Sequence, residues 1–243
     1  MLSIIVCEGR TDAIFLSYYL LKTQQWEYIK GSKIPVKIPV QNSENEEANW
    51  YKKGDNFLAI WGVGGKSNFK YAIESIEELN KLGNKSQFFS KIAILADKDN
   101  DEEEEKINEL NELFSFRSEI SLINRQWITV EFNDLYEMHQ QVDLACLVVP
   151  FEGPGAMESF LLQVLSGDAE NEQLIKAVKR FIQSTVSERY LHNNRQKLKA
   201  EFATVLSIMY PERVFTLIDS FLRSVPWEQY NEFQEGFNLF EQI

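Results

Sequence analysis

Three acids, Glu8, Asp97 and Asp99, have the types and positions that could do chemistry, because each stands at the end of an apolar run. Ser3 to Cys7 leads straight into Glu8, and Lys91 to Ala96 (KIAILA) leads into Asp97-Lys98-Asp99. In an open α/β sheet, ligands bind beyond the carboxyl ends of the strands. Two acids separated by one residue, just past a strand, can aim both carboxylates into one crevice. Carboxylate oxygens are hard ligands that suit Mg²⁺ or Mn²⁺. Zinc would prefer His and Cys, of which the chain has two each. A divalent ion held there can polarise a phosphoryl oxygen, generate hydroxide, or act with a second ion in an in-line displacement.

Competing motifs fail on spacing. Asp97-x-Asp99-x-Asp101 opens like a calcium-binding EF-hand loop, but Glu102 stands where that loop needs glycine and Asn108 where it needs glutamate. Gly64-Gly65-Lys66-Ser67 invites a P-loop reading, yet Ile60 occupies the position of the required first glycine. A glycine turn before a helix can still hold a phosphate through backbone N–H groups, so Gly64, Gly65 and Lys66 are candidate phosphate contacts. His139 and His192 have no partner at metal or triad spacing, and no Gly-x-Ser-x-Gly elbow supports acyl transfer.

The elements that must position these residues alternate. Ser3 to Cys7 suits a strand buried on both faces of a parallel sheet. Glu8-Gly9-Arg10 turns the chain, and Thr11 or Asp12 caps a helix to about Lys22 with Ile14, Phe15, Tyr18 and Leu21 on one stripe. Ile34 to Val40 contains Pro35 and Pro39, which restricts it to an edge strand or an extended loop. Asn42 to Asp55 is polar and reads as a loop. Strands follow at Phe57–Trp61 and Lys91–Ala96, with a helix from about Ser67 to Leu82 between them and an acidic turn and helix to about Phe114 after them. Further strands are expected at Trp127–Phe132 and Ala145–Val149, and a helix at Met157–Leu165. From Glu170 on the pattern is helical, with breaks near Pro211 and Pro226. The expected fold class is α/β: a mostly parallel sheet flanked by helices over residues 1–165, with an all-helical extension over 166–243. Trp227, Tyr230, Phe233, Phe237 and Phe240 fall at helical spacing and read as packing or an interface.

Composition bounds the reading. Hydrophobic residues make up 44% and charged residues 26% of the 243 residues, ordinary for a globular chain. No apolar run approaches the roughly 18 residues a membrane span needs. Cys7 and Cys146 sit in apolar runs as small hydrophobes, which with the absence of a leader-like start makes the cytoplasm the expected compartment. The net charge of −12 opposes broad affinity for nucleic acid. It is unevenly placed, however. Seven carboxylates fall between Asp97 and Glu105, whereas Lys176 to Lys199 holds seven Lys/Arg and one acid, Glu188. Metal ions at the acids and a grip from the basic stretch would let an acidic protein handle a polyanion.

A hydrophobic strand ending in Glu8-Gly9, then Asp12, then a hydrophobic strand ending in Asp97-x-Asp99, resembles the Toprim domain of topoisomerases, bacterial primases, recombination mediators and OLD-type nucleases. Gly62-Val-Gly-Gly-Lys66 and Gly155-Ala-Met-Glu158, followed by a basic helix with Arg195-x-Lys197-x-Lys199, are similar to the OLD-type and small Toprim-related branch. The resemblance implies a Toprim-like sheet and an Mg²⁺- or Mn²⁺-dependent nuclease site acting on DNA or RNA, in phage defence or repair. It implies Glu8, Asp12, Asp97, Asp99 and Glu158 as metal ligands or general bases. Lys199 or Lys197 would stabilise the charge developing on phosphorus, and Arg195 and Lys197 would contact the nucleic acid. OLD-type chains carry an ATPase domain that this sequence lacks, so a separate ATPase is an expected partner. Two rivals stand beside this reading: a regulatory module that binds metal, nucleotide or a partner without cleaving anything, and nucleotide hydrolysis built on Gly62 to Ser67. Oligomeric state is left open.

Overall fold

The computed structural model describes residues 1–82, 87–114, 121–133, 139–185 and 189–243; Glu188, the single acid of the basic stretch, lies outside them. The strands are β1 (Leu2–Cys7), β2 (Glu27–Ile29), β3 (Glu47–Lys53), β4 (Asn56–Gly62), β5 (Phe89–Asp97), β6 (Trp127–Asn133) and β7 (His139–Val149). They form one sheet in the order β2-β3-β4-β1-β5-β7-β6. β1 runs parallel to both of its neighbours, β4 and β5. β3 is antiparallel to β4 and to β2, and β6 is antiparallel to β7. Strands β2, β4, β1 and β5 therefore share one direction, and the fold is α/β with a mostly parallel sheet flanked by helices.

Every residue of β1 is buried, as a strand covered on both faces requires. Helix α1 (Arg10–Thr23) follows it, and the Asp12 carboxylate accepts the Gly9 N–H at 2.7 Å, closing the helix start. The expected single stripe on this helix proves too narrow. Asp12 through Leu20 are all buried, because the end of the chain, Phe237–Ile243, belongs to the same compact unit. Tyr19 lies 5.6 Å from the Phe237 ring and donates its hydroxyl to Glu241 at 2.6 Å. Helix α2 (Phe69–Leu82) buries Phe69, Ala72, Ile73 and Ile76. Its Asn80 both donates to the Phe89 carbonyl at 3.0 Å and accepts the Phe89 N–H at 2.7 Å, which fixes where β5 begins.

The polar stretch 42–55, expected as a loop, contains strand β3. Its polar residues disguise an alternation in which Trp50 enters the core while Tyr51 turns the other way to meet Tyr28 of β2. A two-residue connection, Gly54-Asp55, returns the chain to β4, with Gly54 at φ +59°. Residues 34–40 form no strand. Tyr71 anchors them as an extended loop by donating its hydroxyl to the Pro39 carbonyl at 2.9 Å.

The chain divides into two compact units, which do not coincide with a division at residue 165. The first comprises Met1–Ala96, Asp101–Val148 and Phe237–Ile243, and it includes helix α3 (Glu103–Asn111). The second comprises Asp97–Asn100 and Val149–Gly236. It is built from α4 (Met157–Leu165), α5 (Ala169–Thr185), α6 (Asn194–Met209), α7 (Ile218–Leu222) and the start of α8 (Asn231–Phe237). Trp227 and Phe233, fully buried, pack in it against Phe202 and Phe160, so these aromatics are packing. Among the described residues no helix is long and apolar enough to cross a membrane.

Candidate metal and phosphate site

In the first unit, Glu8 follows β1 directly and is 1% exposed. Its backbone is held on both sides: its N–H donates to the Leu95 carbonyl at 3.3 Å and its carbonyl accepts the Gly65 N–H at 2.8 Å. The glycine turn after β4 is shaped to make that contact. A Cβ on Gly62 would stand 2.9 Å from the Gly9 carbonyl oxygen, and Gly64, at φ +76°, lies against Asn45 with equally little room. The turn expected to cradle a phosphate thus braces the Glu8-Gly9 turn, and the Gly65 N–H is already engaged. Lys66 and Gly64 remain exposed beside it. Asp12 also has a structural task, since its carboxylate closes the start of α1.

In the second unit, Asp97 and Asp99 come together on one cation. The Asp97 side chain, 4% exposed, accepts the Met157 N–H through Oδ1 at 2.9 Å and pairs through Oδ2 with Nη2 of Arg195 at 3.0 Å. The same guanidinium reaches toward Asp99, with Nη1 4.0 Å from Oδ1. Asp99 adopts φ +57°, a conformation Asp tolerates better than most residues, and its backbone exchanges two hydrogen bonds with Gly155, at 2.7 and 2.6 Å. Gly155 has no room for a side chain, because a Cβ there would strike the Ser159 hydroxyl. The D-x-D segment is thereby bent so that both carboxylates serve one positive charge. Asp97 thus meets the Met157 N–H that opens α4, the end of a helix where negative charge is favoured. Glu158, the second residue of α4, is buried and lies one position beyond the N–H that Asp97 accepts.

The basic helix is α6, capped by Asn193, whose side chain accepts the Gln196 N–H at 2.9 Å. It carries Arg195 near its start. Lys197 and Lys199 are both exposed, Lys199 one helical turn beyond Arg195. His192, just before the cap, is exposed and donates its N–H to Gln196. The ion pair of Arg195 with Asp97 is the feature that sequence reasoning missed, since a guanidinium and a carboxylate 98 residues apart leave no spacing signal. Cys7 and Cys146 are buried and unbridged. Burial, with Glu103 nearby, pushes the Cys146 thiol up to about 12, so it is an inert hydrophobe rather than a nucleophile.

Among the described residues no three His, Cys, Asp or Glu side chains gather closely enough to hold a metal ion. What the second unit does offer is chemically suited to one. Its donors are hard carboxylate oxygens, and the guanidinium between Asp97 and Asp99 marks where positive charge is taken up.

Residues 2–214 match the family described as "Protein of unknown function (DUF3226)". No curated protein matches the sequence. Among solved structures, the chain is similar to the crystal structure of a hypothetical protein from Pyrococcus horikoshii OT3, with a TM-score of 0.51 and 14% identity, over 98% of this chain and 99% of that one. At that identity the likeness speaks to the fold alone.

Proposed function

The chain belongs to the DUF3226 family, and we propose that it is a metal-dependent phosphodiesterase of Toprim type, a nuclease acting on DNA or RNA. One observation carries the proposal: Asp97 and Asp99 share a single cationic group, as two ligands of one divalent ion would. Asp97 and Asp99 would be ligands for Mg²⁺ or Mn²⁺, whereas Glu158, Glu8 and Asp12 stand as candidate ligands on the sequence resemblance alone. When bound, such an ion supplies Lewis-acid polarisation of the phosphoryl oxygen and a water of lowered pKa. The chain's own contribution is position and charge. Lys199 and Lys197, exposed on α6, would neutralise the phosphate backbone. A role in phage defence or repair, with a separate ATPase as partner, belongs to the same reading.

A second reading has its own support. Both carboxylate oxygens of Asp97 already have partners in the chain itself, the α4 N–H and Arg195. That arrangement suits a regulatory module in which the pair is structural and no phosphodiester is cut.

The full chain incubated with Mg²⁺ or Mn²⁺ and labelled single- and double-stranded DNA and RNA separates the two. Cleavage that disappears with chelator, and is lost by at least about a hundredfold in Asp99→Asn, which keeps the tolerance for positive φ, is the expected outcome. Cleavage that persists undiminished in Asp99→Asn and Asp97→Asn would remove this pair from the chemistry, and absence of cleavage on every substrate would leave the regulatory module.

A further inference from the structure

A cavity opens in the first unit where the edge of the sheet is incomplete. β2 ends at Ile29, opposite Trp50, whereas β3 begins at Glu47. Gly31, at φ +67°, turns the chain away, and Pro35 and Pro39, which lack an N–H, keep the following loop from continuing as a strand. Among the described residues no strand therefore pairs with residues 47–49 on the side away from β4. The space left has a volume of about 470 Å³, within the ~300–1,000 Å³ range of small-molecule sites. Ile34, Val36 and Ile38 of the loop line it, together with Ala48 and Trp50 of β3.

Two features say what the cavity takes. Trp50 is 2% exposed, yet its indole N–H donates to no acceptor among the described residues. The indole N–H groups of Trp61, Trp127 and Trp227, by contrast, donate to Glu46, the Leu239 carbonyl and the Leu222 carbonyl. A buried donor without an acceptor is costly, and a ligand in the cavity would supply one. The second feature is charge. From Tyr28 to Ser43 a chain of net charge −12 carries Lys30, Lys33 and Lys37 and no acid. All three lysines are exposed, and Lys37 lines the cavity. A carboxylate answers both features, since it is an acceptor and an anion at once. We propose that the cavity binds a small organic acid, with its compact apolar body against Val36, Ile38 and Ala48 and its carboxylate addressed by the Trp50 N–H and the Lys37 ammonium. The open stretch of β3 is too short to hold a peptide as an added strand, which restricts the occupant to a small molecule. None of these residues takes part in the metal reading, so the two stand or fall separately.

The experiment is calorimetric titration of the full-length chain with naphthalene-2-carboxylate and with its carboxamide, which keeps the ring body and a carbonyl acceptor but removes the charge. Wild type is expected to bind the carboxylate about threefold more tightly than the amide, the scale of an exposed charge contact. Lys37→Glu should erase that preference and leave amide binding as it was. Trp50→Phe, which keeps a ring against Phe89 but has no N–H, should weaken both probes about fivefold. Ala48→Leu, which adds bulk to the wall, should weaken both by at least about tenfold. Melting of each variant without probe shows that it is folded, and the surface change Lys37→Glu decides the matter if Trp50→Phe does not fold. Absence of binding by either probe would overturn the site. So would binding that every folded variant leaves unchanged, since the probe would then sit elsewhere. Self-association of wild type that Ala48→Leu and Lys37→Glu abolish, with no probe bound, would assign the cavity to a second copy of the chain and overturn the proposal as well.

Discussion

A buried acid keeps its place in a fold only if something balances it, and the acids of this chain are balanced in different ways. Asp12 closes a helix, Asp97 takes a helix N–H and a guanidinium, and Glu46 accepts the N–H groups of Gln41, Asn42 and the Trp61 indole. Burial raises the carboxyl of Glu201, on α6, above its ordinary value, and Lys179 offsets only part of the effect. A carboxyl raised in the folded state favours folding at pH below its unfolded value, and that contribution is lost as pH rises through the folded value. Above its folded value Glu201 therefore costs stability. Glu201→Gln should raise the melting temperature at pH 7, and the gain should shrink toward zero as the pH is lowered through the carboxylate range. Melting curves of the two proteins across that range test it, and a variant less stable than wild type at pH 7 would show that the charge is compensated after all.

At the scale of elements, the glycines after β4 show how a turn can look like one thing and be another. The Gly62-Val-Gly-Gly sequence reads as a phosphate cradle, yet its geometry serves the neighbouring Glu8-Gly9 turn. Gly62→Ala would push a methyl against the Gly9 carbonyl at 2.9 Å and the Arg10 nitrogen at 3.3 Å, backbone atoms that cannot rotate away. We expect it to lower stability by about 1–3 kcal/mol in urea unfolding. An unchanged midpoint would mean that the two turns are not packed as described. Which elements were legible in the sequence follows from how they are buried. β1, β4 and β5 are covered on both faces, and a continuous apolar run announces such strands. β2 and β3 lie at the polar edge of the sheet, where three residues of one and the lysines and glutamate of the other erase the signal. The acids at the strand ends were visible because they interrupt apolar runs. Their cation was not, since Arg195 reaches them only through the fold.

For the molecule as a whole, the return of the chain end to the first unit is the feature that neither composition nor periodicity announces. Residues 166–243 read as one helical appendage, yet Phe237–Ile243 belong with the sheet. Phe237 and Phe240 are fully buried there. The Trp127 indole donates to the Leu239 carbonyl at 2.9 Å, Lys91 donates to the Gln242 carbonyl at 2.8 Å, and Tyr19 donates to Glu241. This segment is why α1 can be buried without a break from Asp12 to Leu20: residues that would otherwise face water are covered by it. Deleting residues 237–243 should therefore act on the first unit, though the deleted stretch follows the second in sequence. Removing two buried phenylalanines alone costs about 6–10 kcal/mol at typical values for Phe-to-Ala substitution, the size of a whole domain's stability. The truncated chain is expected to lose cooperative melting and to bind a hydrophobic dye through the uncovered helix. The milder Tyr19→Phe, which loses only the hydroxyl contact to Glu241, should lower stability by about 1 kcal/mol. If the truncated protein melts cooperatively at the wild-type temperature, α1 has no need of that cover, and its unbroken run of buried residues would require another cause.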